Sequence, residues 1–434
     1  MQTPPPDSLD VLTDHLITIG DDGRIIGVAP AGFDDHADLT LGPDTVLIPG
    51  LIDTHIHAPQ WPQRGVGLDL PLEQWLNDHT FPLEARFHDI SFAQSVWDAM
   101  VPALLASGTT TAAYYGSIHE EATAALAEAC LRHGQRAFVG RVAMDHPDNT
   151  PSFYRDPTAA AAIEASQRSI ADVIAIDDDR GLVAPIITPR FIPSCSDALL
   201  SGLGALAAET GVRVQTHCSE SRWEHAYVLD RFGISDTMAL DGFGLLRPHA
   251  VLAHSVHLSD NDRSQLIARG AGVAHCPLSN AYFGDGVFPL RRHLDAGLRV
   301  GLGSDVAGGP EHDLRAVCGH AVTSSRMLEA GVSQHRASDL HPGERIDLIT
   351  AFWTATAGGA ALLGIDAGIL APGRVFDAVA IDTATDRSTG FDPVDLDPAT
   401  RDARRFDRLA RGSGTITAVW IDGRAVRQDF PPSQ

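Results

Sequence analysis

Two histidines stand one residue apart in the apolar run TVLIPGLIDTHIHAPQ, residues 45–60. In an extended strand, residues two positions apart point to the same side, so His55 and His57 would present their imidazoles together. Later runs supply more groups of this kind. VRVQTHC (212–218) carries His217, AVLAHSVH (250–257) carries His254, and RVGLGSD (299–305) ends at Asp305. Imidazoles and a carboxylate around an open position suit a catalytic, borderline-soft divalent ion such as Zn2+. Any one of these histidines, taken alone, reads better as a hydrogen-bonded strand-end residue. Taken jointly, a His-x-His pair, two later strand-end histidines and a terminal aspartate point to a metal centre. His257 and His275 stay in the structural class. Glu220 follows His217 in THCSE, where a loop or first helical turn would bring its carboxylate back over the same place. A carboxylate there is a natural general base and proton shuttle. Capping of the next helix is its structural alternative, the lesser of the two. Cys218 and Cys276 fit small buried hydrophobes.

Such groups, scattered over 250 residues, converge only if the elements carrying them end on one face. From residue 45 onward, apolar β-rich runs alternate with alanine- and leucine-rich helical segments. There are eight such runs, at 46–57, 108–115, 136–145, 182–191, 212–218, 250–257, 271–277 and 299–305. Helical stretches such as EEATAALAEACLRHG, SDALLSGLGALAAETG and SDNDRSQLIARG separate them. The last opens on Ser259, a helix N-cap, and closes on Gly270. Near-continuous apolar strands alternating with helices imply a parallel sheet covered on both faces. Eight repeats suggest an α/β fold of the (β/α)8 barrel type, whose strand C-termini share one catalytic mouth. An open doubly wound sheet is the alternative, but no G-x-G-x-x-G follows the first strand.

The two ends differ from the middle. DHLITIGDDGRIIGVAP reads as a hairpin turning at DDG, and GILAPGRVFDAVAID and GTITAVWIDGRAV read as short strands. Between the latter two, DLDPATRDARRFDRLARG (395–412) reads as a polar loop with a short helix. A small β-sandwich domain built from residues 1–45 and 360–434, with the barrel at 46–359 inserted, is the simplest organisation.

Composition narrows the function. The formal net charge is −24, which argues against nucleic-acid or anionic-membrane surfaces, both of which need clustered cations. All 32 cations are arginine. The chain therefore has no lysine Schiff base, no phosphate-loop lysine and no carbamylated lysine between two metals. Its cysteines, five in number and never in C-x-x-C, suit a reducing cytoplasm better than a disulfide framework. Neither a signal peptide in MQTPPPDSLDVL nor a membrane span is expected.

These residues resemble the amidohydrolase superfamily, and within it the guanine deaminases. PG-h-h-D-x-H-x-H at 49–57 is the general part of the resemblance. HAPQ, LPLEQWL and TFPLEARF, all within 57–87, are its specific part. ITPRFIPSCS (187–196), THCSE (216–220), AHCPLSN (274–280) and GLGSDVAGG (301–309) extend it, while AYFGDGVFPLRRH (281–293) matches weakly. The resemblance implies a zinc ion, one per chain, on His55, His57, His217 and Asp305. It makes Glu220 the proton shuttle, with His254 and Asp305 acting on the attacking water. Gln60, Arg190, Phe191 and His217 would hold a small aminopurine; on sequence alone, Arg190 could equally serve a surface salt bridge. The implied reaction is hydrolytic deamination of guanine to xanthine and ammonia, by a cytoplasmic homodimer. The rival readings are a related aminohydrolase or chlorohydrolase acting on another purine, a pterin, a pyrimidine or a triazine, and a non-catalytic scaffold on the same fold. The intact ligand set weighs against the scaffold.

Overall fold

The structure, a computed structural model, describes residues 1–32, 36–178, 180–331, 342–384 and 397–428. Parts of both expected units, namely 33–35, 385–396 and 429–434 of the terminal one and 179 and 332–341 of the barrel, lie outside the described residues. The terminal strands begin with β1 (His15–Ile19), β2 (Ile25–Pro30) and β3 (Thr45–Pro49). The barrel follows as β4 (Leu51–His57), β5 (Thr109–Tyr115), β6 (Arg136–Gly140) with the short β7 (Val142–Ala143), and β8 (Val183–Pro189). It continues through β9 (Arg213–Cys218), β10 (Val251–His254), β11 (Gly272–His275) and β12 (Arg299–Leu302). The chain returns to the small unit with β13 (Ala378–Asp382), β14 (Thr415–Ile421) and β15 (Arg424–Gln428).

Every ladder from β4 round to β12 is parallel. Helices on the outside and side chains on the inside leave no face of these strands in water; all seven residues of β4, and all seven of β5, are buried. The seam between β12 and β4 is closed by single bonds. Thr54 Oγ1 donates to the Leu302 carbonyl at 2.9 Å, and beyond the strand ends Asp305 N donates to His55 O and His57 N to Val306 O, both at 3.0 Å. Gly303 allows this approach: a Cβ there would sit 2.9 Å from both the His55 Cβ and the Cys276 sulfur. The intervening helices start and stop where the sequence signals them. Ser259 and Asp262 form a reciprocal capping box at Asp260–Arg269, and Gly270 ends that helix at φ 68°. Ser196 and Gly211 bracket Asp197–Thr210 in the same manner.

The run 46–57, expected as one strand, is two. β3 pairs antiparallel with β13 in the terminal sheet, and after Gly50 the chain enters the barrel as β4. Both halves are apolar, so hydrophobic pattern alone carries no mark of the change of sheet. Gly50 is that mark, since a Cβ there would overlap the Thr110 side chain at 2.1 Å. The polar stretch expected as a loop with a short helix is largely helix, Pro398–Leu409, capped by Asp397. Ala399, Ala403, Phe406 and Leu409 recur at helical spacing, with Phe406 and Leu409 buried, so the period runs further than the short helix expected. In GILAPGRVFDAVAID, strand begins only at Ala378.

The terminal strands form an antiparallel sheet in the order β15-β14-β13-β3. Ile25 of the β1–β2 hairpin packs with Phe376, Ala378, Ala418 and Trp420 in a core separate from that of the barrel.

Candidate active site

His55 and His57 at the end of β4, His217 in β9, His254 at the end of β10 and Asp305 after β12 meet at the barrel mouth. One ring nitrogen from each of His55, His57 and His217 lies within 4.8 Å of the others. His57 Nε2 and His217 Nε2 are 2.9 Å apart. Asp305 Oδ1 stands 3.1 Å from His55 Nε2 and 3.7 Å from His57 Nε2. Burial, reinforced by neighbouring imidazoles and Arg190, holds the pKa values of His55, His57 and His217 well below the usual range. The three rings are therefore neutral, the form that ligates a metal.

Their orientations are fixed from behind. His217 Nδ1 lies 2.6 Å from the Arg190 carbonyl, which assigns the proton to Nδ1 and leaves Nε2 as a lone pair. His254 Nδ1 meets Asn280 Oδ1 at 2.9 Å, to the same effect. Both ring nitrogens of His55, Nδ1 of His57 and Nε2 of His254 are buried with no hydrogen-bond partner among the described residues. Two imidazole nitrogens at 2.9 Å can share only one proton. Buried, neutral, unpartnered donors beside a carboxylate fit a divalent cation. Cys276 also lies within reach of His55 and His254, but burial raises its thiol pKa well above normal, which keeps it protonated and a poor ligand.

Further anchoring comes from Asp53. It accepts from Ser304 N at 3.0 Å, Ser304 Oγ at 2.5 Å and His55 N at 3.2 Å, joining β4 to the segment that carries Asp305. Ser219, His254, Ser255 and Asp305 all have left-handed backbone, φ between 47° and 67°. Such conformations in non-glycine residues concentrate where side chains must be aimed.

Glu220 lies beside this cluster, Oε1 3.5 Å from His254 Nε2. Burial first, then the negative charge of Asp305, pushes its pKa well above the carboxylate range, against Arg190. Its carboxyl thus holds a proton more readily than a solvated one. The capping role considered for it belongs to Ser221, whose Oγ accepts from Glu224 N at 3.1 Å; Glu224 in turn accepts from Glu220 N at 2.8 Å. His275 packs on Phe288 and His257 stacks on His225, both apart from the cluster.

A cleft of about 390 Å³ opens over these groups. Gln60, Arg190 and Phe191 line it with His217, Glu220 and Asp305, and Leu72, Trp75 and Phe283 form apolar walls. Arg190 is no surface residue, being 3% exposed. It pairs with Glu84 through NH1 to Oε2 at 2.6 Å and NH2 to Oε1 at 3.1 Å. Burial alone would lower its pKa, but the charge and hydrogen bonds of Glu84 raise it. Phe191 is buried, its ring 6.3 Å from that of His217.

Glu84, Asn280, Tyr115, Trp75 and Phe283 escaped the reading of the sequence as site residues. Tyr115 floors the cluster, its ring 4.7 Å from both His55 and His57. Glu84 lies within TFPLEARF, yet its partner Arg190 is 106 residues away, and nothing in a single sequence links them.

The Amidohydrolase family model matches residues 46–426. A probable guanine deaminase of Schizosaccharomyces pombe is 37% identical over 392 residues, covering 89% of this chain and 72% of the relative. The Homo sapiens guanine deaminase is 34% identical over 402 residues, covering 89% of this chain and 85% of the relative. The crystal structure of a guanine deaminase from C. acetobutylicum with bound guanine superposes with a TM-score of 0.86 at 29% identity, covering 98% of this chain and 97% of that one. The chain belongs to the amidohydrolase family and, within it, stands among the guanine deaminases.

Proposed function

We propose that the protein hydrolyses guanine to xanthine and ammonia, using one zinc ion held by His55, His57, His217 and Asp305. The observation that carries the reading is the meeting, in one cleft, of three neutral imidazoles and a protonatable glutamate with the Gln60, Arg190 and Phe191 cradle. When bound, the ion supplies Lewis acidity that brings the pKa of water towards about 7.

The chain's own groups then divide the work. Arg190 and Gln60 offer donors to the carbonyl oxygen and ring nitrogens of guanine, and Phe191 offers an aromatic surface. Leu72, Trp75 and Phe283 exclude bulk water. Glu220 takes a proton from the attacking water and delivers it to the ring nitrogen beside carbon 2, which makes that carbon more electrophilic. His254 Nε2, unprotonated because Nδ1 serves Asn280, accepts a hydrogen bond from the attacking oxygen, with Asp305 on its other side. The remaining proton of the added oxygen passes to the exocyclic nitrogen, the C–N bond breaks, a carbonyl forms at carbon 2, and ammonia leaves. No covalent bond to the enzyme is needed.

The test is metal content and guanine turnover on one preparation. About one zinc per chain is expected, with guanine loss matched by ammonia release, activity lost on chelation and restored by zinc. Turnover that survives complete removal of metal would refute the metal assignment. Turnover of a pterin, pyrimidine or triazine in place of guanine would refute the substrate. A cytoplasmic location belongs to the same reading, supported by five buried, unpaired cysteines that suit a reducing compartment; the homodimer in it follows from the family resemblance alone. The division into a terminal β-unit and an inserted catalytic barrel belongs to that reading too. No helix among the described residues is long and apolar enough to cross a membrane.

A further inference from the structure

We propose that Glu84 is a positioning residue that sets substrate selection, by locking Gln60 and Arg190 in one orientation and cancelling the charge of Arg190. The inference rests on reading Gln60 and Arg190 as the ring-binding pair.

Glu84 is fully buried in the short helix Phe81–Ala85 and touches none of the proposed metal ligands through a hydrogen bond among the described residues. Its Oε1 accepts from Gln60 Nε2 at 2.8 Å and from Arg190 NH2 at 3.1 Å, while Oε2 accepts from Arg190 NH1 at 2.6 Å. The other end of the Gln60 amide is fixed as well, for Oε1 accepts from Ala307 N at 3.1 Å. A backbone N–H can only donate, and a carboxylate paired with arginine only accepts. The two neighbours therefore leave Gln60 a single amide orientation. One N–H and one lone pair of that amide remain for a ligand.

Arg190 is constrained in a similar way. Two of its five N–H groups are committed to Glu84, and three remain. Its backbone carbonyl meanwhile accepts from His217 N at 3.1 Å and holds His217 Nδ1 at 2.6 Å. Glu84 thus fixes the side chain of a residue whose main chain orients a proposed metal ligand. The paired guanidinium presents directional donors with little net charge. The occupant that suits it is a neutral planar heterocycle with a carbonyl or ring-nitrogen acceptor, in preference to a carboxylate or phosphate.

The test compares Glu84→Gln and Glu84→Asp, alone and with Arg190→Gln, as zinc-loaded enzyme. Guanine is compared with 2-aminopurine, which lacks the carbonyl oxygen. If the wild type prefers another amino-heterocycle, that compound and its analogue lacking the carbonyl replace the pair. Failure of the guanine assignment is then visible in the wild type and leaves the Glu84 comparison intact. Glu84→Gln is expected to raise KM about tenfold or more, with kcat within about threefold, and to cut the preference for the carbonyl-bearing substrate by about tenfold. Zinc per chain should not change. In the Arg190→Gln background the same substitution should raise KM by clearly less than in the wild type, the remainder reflecting the Gln60 contact alone. Should Glu84→Gln fail to fold, Glu84→Asp, which keeps the charge but withdraws the carboxylate, is expected to show the same KM rise and lost preference. An unchanged KM and preference in the folded single variant, or equal KM losses in both backgrounds, would overturn the proposal.

Discussion

His217 Nδ1 donates to the Arg190 carbonyl at 2.6 Å, which leaves its Nε2, 2.9 Å from His57 Nε2, available for the proposed ligation. Glu220, in the same strand-end segment, is instead kept protonatable by burial and by Asp305. Substitution should separate these roles. Glu220→Gln removes a titrating oxygen and no ligand. It is expected to retain zinc and lose turnover by about 10²- to 10⁴-fold. His217→Ala should lose zinc and activity together. Elemental analysis beside kcat decides, and a Glu220→Gln enzyme with full turnover would end the shuttle assignment. The difference in visibility between residues has the same physical root. His55 and His57 are legible because the two-residue period of a strand aims both rings alike. His254, Glu220 and Asp305 are legible because each lies near or just beyond the end of a strand-like run. Glu84 is invisible because its meaning lies wholly in a pairing across the fold, and Asn280 because it serves only by fixing the tautomer of His254.

The helix Leu290–Asp295 shows how an element behind the mouth ties stability to pH. Its His293 stacks on Phe288 at 4.6 Å, and His275 of β11 packs on the same ring at 5.2 Å. Neither ring nitrogen of His293 has a hydrogen-bond partner among the described residues. Burial first, then Arg263 and Arg292 against Asp260, lowers its pKa to about 4; burial, then His254 and His293, lowers that of His275 to about 3. Both values lie below the usual 6.5, so the unfolded chain takes up these protons first. Their contribution is whole above about 6.5 and is lost as pH falls towards the folded values, by about 3 kcal/mol for His293. Thermal midpoints should accordingly fall steeply between about pH 6.5 and 4, and His293→Leu should flatten that slope. An identical slope in the variant would show that the acid sensitivity lies elsewhere. Elements themselves were largely legible in the sequence. Strand–helix alternation, serine caps and glycine ends mark most of the barrel. Pattern fails at 45–57, where two apolar strands of different sheets adjoin, whereas at Pro398–Leu409 the helical spacing of Ala399, Ala403, Phe406 and Leu409 is present and marks a longer helix than the short one expected.

At the scale of the whole molecule, the sheet from the chain ends and the barrel meet around Asp377. This carboxylate is buried and accepts from Arg136 Nε at the start of β6, 3.2 Å, and from Asp422 N in the turn between β14 and β15, 2.7 Å. Its carbonyl accepts from Gly50 N, where the chain passes from β3 to β4, at 2.9 Å. One residue therefore joins a barrel strand, the sheet-switch glycine and the hairpin of the terminal unit. Arg136 is largely buried, with 11% side-chain exposure, and removing its partner leaves a poorly solvated charge. Asp377→Asn should then cost about 3 kcal/mol. The loss should fall on both units together if they unfold as one, giving a single thermal transition at lower temperature. The proposed metal ligands at the opposite, C-terminal ends of the strands do not touch this contact. Turnover per folded molecule at 25 °C should therefore stay within about twofold of the wild type. Calorimetry and kcat on the same samples separate the outcomes. Two resolved transitions would mean that the units unfold independently, and an unchanged midpoint would mean that the Arg136–Asp377 pair is not what couples them.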